Sequence, residues 1–258
     1  AELVAMIRDL QPGILVNNRL GRALAGAPSA DGGAGPGATD DLGDFGTPEH
    51  HITAEVGRPW ESCQVSTWRL WGYAAGERWR PADLLLDMLV EAAGEGGNLL
   101  LNVGPTPDGE LPAEFVTRAE ALGRWLAVHG EAIYGAEAGD VCEFVTFGRQ
   151  TRKGDNLYLI VRFWDGRGAL RLAGLETPVR RAVLLTTGQE LPFEQCPDEL
   201  TISGLPLEPP TDLFPVIKLE CAGPPQPRPW ARERLWQGDP RRMTSWATAR
   251  GTSVWADG

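Results

Sequence analysis

The stretch Gly96-Gly97-Asn98-Leu99-Leu100-Leu101-Asn102-Val103-Gly104 constrains the chain more than any other. A short, near-continuous apolar run bounded by glycines is the pattern of a strand buried on both faces of a parallel sheet. It follows a helical pattern from about Pro81 to Ala93, in which Pro81 suits the first helical position and Leu84, Leu85, Met88 and Leu89 form an apolar stripe. After the turn Thr106-Pro107-Asp108-Gly109, a further helix is predicted from Pro112 to about His129, with Phe115, Leu122, Trp125 and Leu126 at helical spacing. The same alternation occurs upstream. Glu2–Leu10 reads as a helix, and Ile14-Leu15-Val16 as a buried strand that ends in Asn17-Asn18-Arg19.

Helix and strand in alternation imply a parallel sheet with crossover helices, either a barrel or an open doubly wound sheet, with polar residues at the strand ends where such folds place their sites. A (β/α)8 barrel takes about 250 residues. The alternation stops near Gly135, so about half of a barrel is expected. From about Val141 the period changes. Cys142 to Phe147, Asn156 to Trp164, Ala169 to Leu172, Arg181 to Leu185, Glu199 to Ile202 and Phe214 to Leu219 are short, rich in Val, Ile, Leu and aromatics, and bounded by turn residues. They predict an antiparallel β-sandwich. The expected organisation is therefore a C-terminal half of a (β/α)8 barrel over 1–136, a sandwich over 137–222, and a Pro- and Arg-rich tail over 223–258 with no core of its own. A Gly-, Ala- and Pro-rich stretch from Gly26 to Ala38 reads as a loop.

A net charge of -11, with pI near 4.8, repels phosphate backbones and anionic lipid surfaces, which argues against nucleic acid as a partner. The longest apolar runs fall well short of the roughly 20 residues that cross a bilayer. Cys63, Cys142, Cys196 and Cys221 are scattered without metal-ligand spacing and read as buried free thiols. Ten Trp, several in loop-like contexts, suit either cores or clefts in which the C–H face of a sugar ring stacks on an indole.

The acidic residues that stand beside aromatics or proline, rather than on charged helix faces, are Asp44 and Glu49 in Asp44-Phe-Gly-Thr-Pro-Glu49-His-His, and Glu61 in Trp60-Glu61-Ser-Cys. A carboxyl group against low-dielectric surface has its ionised form disfavoured, which a general acid working near neutral pH requires. The alternatives for such residues are helix caps and Arg pairs.

Trp60-Glu61-Ser-Cys, Trp71-Gly72-Tyr73, Gly96-Gly97-Asn98-Leu-Leu-Leu-Asn102-Val-Gly-Pro105-Thr-Pro-Asp108-Gly109 and Trp125-Leu-Ala-Val-His-Gly130-Glu131-Ala-Ile-Tyr134-Gly135 together resemble the signature blocks of the family 29 α-L-fucosidases. The resemblance extends from residue 1 to about Leu219. It implies retaining hydrolysis of terminal α-L-fucosyl linkages by an Asp nucleophile and a Glu acid/base, acting on a fucosylated glycan or glycoside with no metal or organic cofactor. It also implies that the nucleophile strand lies upstream of Ala1, so that the 258 residues alone are expected to be inactive. Carried over, the resemblance makes Glu49 the favoured acid/base and Glu61 the alternative. Arg19 would reach the sugar or the nucleophile carboxylate. Trp71 would line the fucose pocket against the C5 methyl, whose burial contributes about 0.8 kcal/mol, with Trp60 stacked beside it or in the core. Asn98, Asn102 and Asp108 would hold the last strand and its loop. A non-catalytic carbohydrate-binding module, or a glycosidase acting on another sugar, are the readings left open beside this one.

Overall fold

The computed structural model describes residues 2–19, 43–55, 57–142, 147–197 and 199–229. They form two compact units that do not follow chain order: 1–81 with 97–117, and 82–96 with 118–258. The Gly- and Ala-rich stretch from Gly26 to Ala38, and the tail from residue 230, lie outside the described residues.

The first unit is built on parallel pairing. Helix α1 (Glu2–Leu10) leads into the segment Val16–Asn18, which bridges to Phe45 in parallel. The segment from Asp44 to Glu49 in turn bridges, again in parallel, to β1 (Glu61–Val65) through Gly46 with Trp60 and Glu49 with Cys63. Strand β1 pairs in parallel with β2 (Asn98–Asn102), Cys63 lying opposite Leu100. Four segments thus run side by side in the order of the sequence. The segment from Asp44 to Glu49, which reads as a loop because Gly46 and Pro48 break any strand pattern, is part of this array.

Strand β2 departs from the expectation of burial on both faces: Leu100 is 41% exposed. Among the described residues β1 is its one sheet partner, so one of its two edges has no described neighbour in the sheet. Strand β1 is the more buried of the two. Its alternate residues Ser62, Gln64 and Ser66 share one face and are all buried, giving the array a polar interior side.

The second unit is the antiparallel sandwich together with α2 (Ala82–Gly94) and most of α3 (Ala113–His129). Its strands are β3 (Glu137–Ala138), β4 (Gly148–Lys153), β5 (Asn156–Val161), β6 (Ala169–Ala173), β7 (Val179–Leu184), β8 (Gln189–Glu190), β9 (Phe193–Gln195), β10 (Glu199–Ser203) and β11 (Val216–Cys221). A six-stranded sheet runs β3-β4-β5-β11-β7-β8, and a three-stranded sheet β6-β10-β9. Leu157, Leu159, Leu184, Ile217 and Leu219 of the larger sheet pack on Leu170, Leu172, Leu200 and Ile202 of the smaller. The intervening residues Tyr158, Ile160 and Val216 point the other way, onto Leu86 and Val90 of α2 and Trp125 of α3. Both faces of β5 are therefore covered, which is why its sequence Asn-Leu-Tyr-Leu-Ile-Val lacks the polar alternation of a half-exposed strand.

Cys63, Cys142 and Cys221 are buried free thiols as expected, whereas Cys196 is free but exposed. Residues 223–229, expected to begin a coreless tail, lie along the sandwich instead: Pro227 bridges to Leu175, and the Arg228 N–H donates to the Gly174 carbonyl at 2.7 Å. No helix among the described residues is long and apolar enough to cross a membrane.

Candidate functional site

Because the four segments of the first unit are parallel, their carboxyl ends fall on one side. That side carries Asn18 and Arg19, Glu49 and His50, Ser66, and Asn102, with the loop of Trp71 following β1. The loop is closed at its base, where Thr67 bridges to Trp79 and the Arg80 N–H donates to the Ser66 carbonyl at 3.0 Å. Asn102 fixes its far part, donating from Nδ2 to the Trp71 carbonyl at 2.6 Å. Gly104 permits this approach, since a Cβ there would run into the backbone of Gly72 and Tyr73. Asn102 thus holds the loop that follows β1, whereas the expectation was that it holds the last strand and that strand's own loop.

Arg19 links two of the ends. Its Nη2 donates to Glu49 Oε2 at 2.7 Å, and its Nε donates to Thr47 Oγ1 at 3.0 Å. The Thr47 hydroxyl donates onward to Asn18 Oδ1 at 2.7 Å. Thr47 and Asn18 are 2% and 4% exposed, so the guanidinium is anchored on a buried polar pair while its outer edge meets a carboxylate that is 22% exposed. A planar fork held at two adjacent donors keeps its orientation better than a flexible ammonium would. Thr47 is absent from the sequence-derived site because a Thr in Gly-Thr-Pro reads as a turn residue; Asn18 was visible only through its pairing with Arg19.

The two acidic alternatives are separated by register. Glu49 is level with Cys63, whereas Glu61 is the first residue of β1, level with Asn98 and two residues further from the carboxyl ends of the strands. Glu49 therefore stands on the side that carries Arg19 and Trp71. Cys63, beside it, is a buried thiol whose pKa is pushed up by burial more than the nearby Arg19 pulls it down.

Asp44 is a fastener. It accepts from the Val16 N–H at 2.8 Å and from Arg8 Nη2 at 2.6 Å, and these two contacts hold its carboxyl below the usual range. Trp60 is 3% exposed, and its ring occupies the space that a Cβ on Gly97 would need. That is a packing position with almost no ring surface for a sugar, so Trp60 takes the core role rather than the stacking one. Trp71 is partly exposed and meets the His50 ring edge-on, with centroids 5.8 Å apart. Ser66, buried at the end of β1, has an Oγ with no hydrogen-bond partner among the described residues. The arrangement can hold a carboxyl group beside an aromatic wall at the mouth of a parallel array, with a cation to orient it.

Residues 1–131 match the protein family described as Alpha-L-fucosidase. The chain is 33% identical over 159 residues to a tissue alpha-L-fucosidase of Macaca fascicularis, covering 59% of this chain and 34% of that protein. Among solved structures, alpha-L-fucosidase isoenzyme 1 from Paenibacillus thiaminolyticus superposes with a TM-score of 0.71 at 33% identity, over 85% of this chain and 53% of that one. The Thermotoga maritima alpha-fucosidase in complex with a mechanism-based inhibitor gives 0.65 at 27% identity, over 85% and 48%. This chain spans about a third of the curated relative and about half of the solved ones.

Proposed function

Since this chain belongs to the alpha-L-fucosidase family, we propose that it serves the retaining hydrolysis of terminal α-L-fucosyl linkages and supplies the acid/base side of that reaction. In this reading Glu49 gives its proton to the glycosidic oxygen as the bond to the leaving group breaks, and later takes a proton from the water that releases the sugar. Arg19 orients the Glu49 carboxyl, and Trp71 borders the sugar near its C5 methyl. None of the described residues is assigned as the nucleophile. The parallel segments of the first unit are read as the C-terminal part of a (β/α)8 barrel reaching about residue 136, with the sandwich from there to about 222.

The observation that carries the proposal is the Arg19–Glu49 contact of 2.7 Å between neighbouring carboxyl ends of parallel segments. The family match lies over residues 1–131, the part that holds this contact, which favours an enzyme over a binding module seated in the sandwich. The test is a hydrolysis assay of the full-length gene product on 4-nitrophenyl α-L-fucoside, with the anomer of the first-formed sugar read by proton NMR before mutarotation. Release of α-L-fucose is expected. Release of β-L-fucose, or hydrolysis confined to other glycosides, would overturn the proposal.

A further inference from the structure

Among the described residues, His50 is the one residue other than glycine with a left-handed backbone, at φ 66°. A side chain with a Cβ is disfavoured there, and such conformations persist where the surroundings over-determine them, often at functional sites. The strain sits on the residue directly after Glu49. It places the imidazole beside that carboxyl group, with Nε2 3.9 Å from Oε1, too far for a hydrogen bond. The other carboxyl oxygen, Oε2, is taken by Arg19. His50 is thus a neighbour of the carboxyl group rather than its partner.

The ring has a second neighbour. It meets Trp71 edge-on, at 5.8 Å between centroids and 64° between planes, while 52% of the His50 side chain stays exposed. Two flat rings therefore meet at an angle beside the proposed proton donor, with ring surface left open. A general acid must lie within hydrogen-bond reach of the oxygen it protonates. The group on the far side of that oxygen, the one that departs, then lies within a few ångströms of the acid and against whatever borders it. A flat ring edge and face suit an aryl group or the C–H face of a sugar.

From this we infer that His50 is a specificity-determining residue on the leaving-group side of the site, its open ring surface receiving an aromatic or glycosyl aglycone where the Trp71 wall of the sugar pocket ends. The inference rests on the reading of Glu49 as the proton donor. Imidazole NMR signals of the full-length gene product are assigned to His50 by their loss in His50→Asn, a variant that tolerates the left-handed backbone. Two probes are titrated: 4-nitrophenyl 1-thio-α-L-fucoside, which resists hydrolysis, and L-fucose. The thioglycoside is expected to shift the His50 signals and L-fucose to leave them in place, and His50→Asn is expected to weaken thioglycoside binding about tenfold with fucose binding unchanged. Thioglycoside binding that moves the Trp71 indole signal but not His50 would overturn this inference and leave the Glu49 reading standing. Equal shifts from both probes would also overturn it, by putting His50 on the sugar side. Binding of neither probe would overturn both readings.

Discussion

Arg19 donates to Glu49 from Nη2, at 2.7 Å, and to Thr47 from the adjacent Nε, at 3.0 Å, so a single side chain ties two neighbouring strand ends together. The pair is partly open to solvent, with 44% of the Arg19 side chain exposed. Contacts of that kind contribute about 0–1 kcal/mol to stability. Their weight in catalysis is a separate matter, because a proton donor displaced by an ångström loses much of its effect.

Replacing Arg19 separates the two roles. Arg19→Ala is expected to lower kcat/KM of the full-length gene product roughly 10- to 100-fold, while changing unfolding free energy by less than about 1 kcal/mol. Arg19→Lys is expected to recover little of the activity, since an ammonium cannot reach Thr47 and Glu49 in one plane. Steady-state kinetics beside chemical denaturation checks this.

Thr47 behaves in the opposite way, through burial. Thr47→Val keeps the shape but removes the hydroxyl that donates to buried Asn18 and accepts from Arg19. A buried acceptor left without its partner costs about 1–3 kcal/mol. Denaturation is expected to show that loss for Val, and a smaller one for Thr47→Ser, which retains the hydroxyl.

The alternation of helices with apolar strands was legible because α1, α2 and α3 carry their apolar residues at helical spacing and β2 and β5 are short apolar runs. Strand β4 was not legible. Its sequence Gly-Arg-Gln-Thr-Arg-Lys shows almost no apolar residue, and what holds it is pairing with β5 on one side and β3 on the other. The segment from Asp44 to Glu49 was missed for a similar reason, since its strand character comes from two neighbours distant in sequence rather than from its own propensity. At the site, Arg19 was visible as a polar residue at a strand end and Glu49 as a carboxylate beside proline, whereas Trp71 was reached only through the family resemblance. Trp60 stayed open between stacking and core because an aromatic beside a carboxylate looks the same in sequence whether it faces a ligand or packs on Gly97. The strain at His50 leaves no sequence signal, as backbone φ is set by the turn after Glu49.

The sandwich unit should carry its own pH dependence. Burial, and then repulsion from Asp140, push the Glu95 carboxyl up to about 7 from an ordinary 4.5, with Arg149 opposing. Between these two values the folded state binds more protons than the unfolded chain, so this group makes stability fall as pH rises from about 4.5 to about 7. Glu95→Gln is expected to remove that slope. The variant should match the parent near pH 4 and be more stable by on the order of 2 kcal/mol at pH 8, after discounting for solvent screening. Thermal unfolding across that pH range reads the difference; a slope unchanged in the variant would assign it to other groups.

Leaving-group dependence tests most directly whether Glu49 is the proton donor. A series of aryl α-L-fucosides, graded by the acidity of the departing phenol, is hydrolysed by the parent gene product and by its Glu49→Gln and Glu61→Gln variants. Loss of a general acid costs about 10²- to 10⁴-fold where the leaving group needs a proton and little where it does not. Glu49→Gln is therefore expected to show a steep new dependence on phenol acidity, with Glu61→Gln following the parent. A steep dependence in Glu61→Gln, with Glu49→Gln unchanged from the parent, would make Glu61 the donor and rule out Glu49.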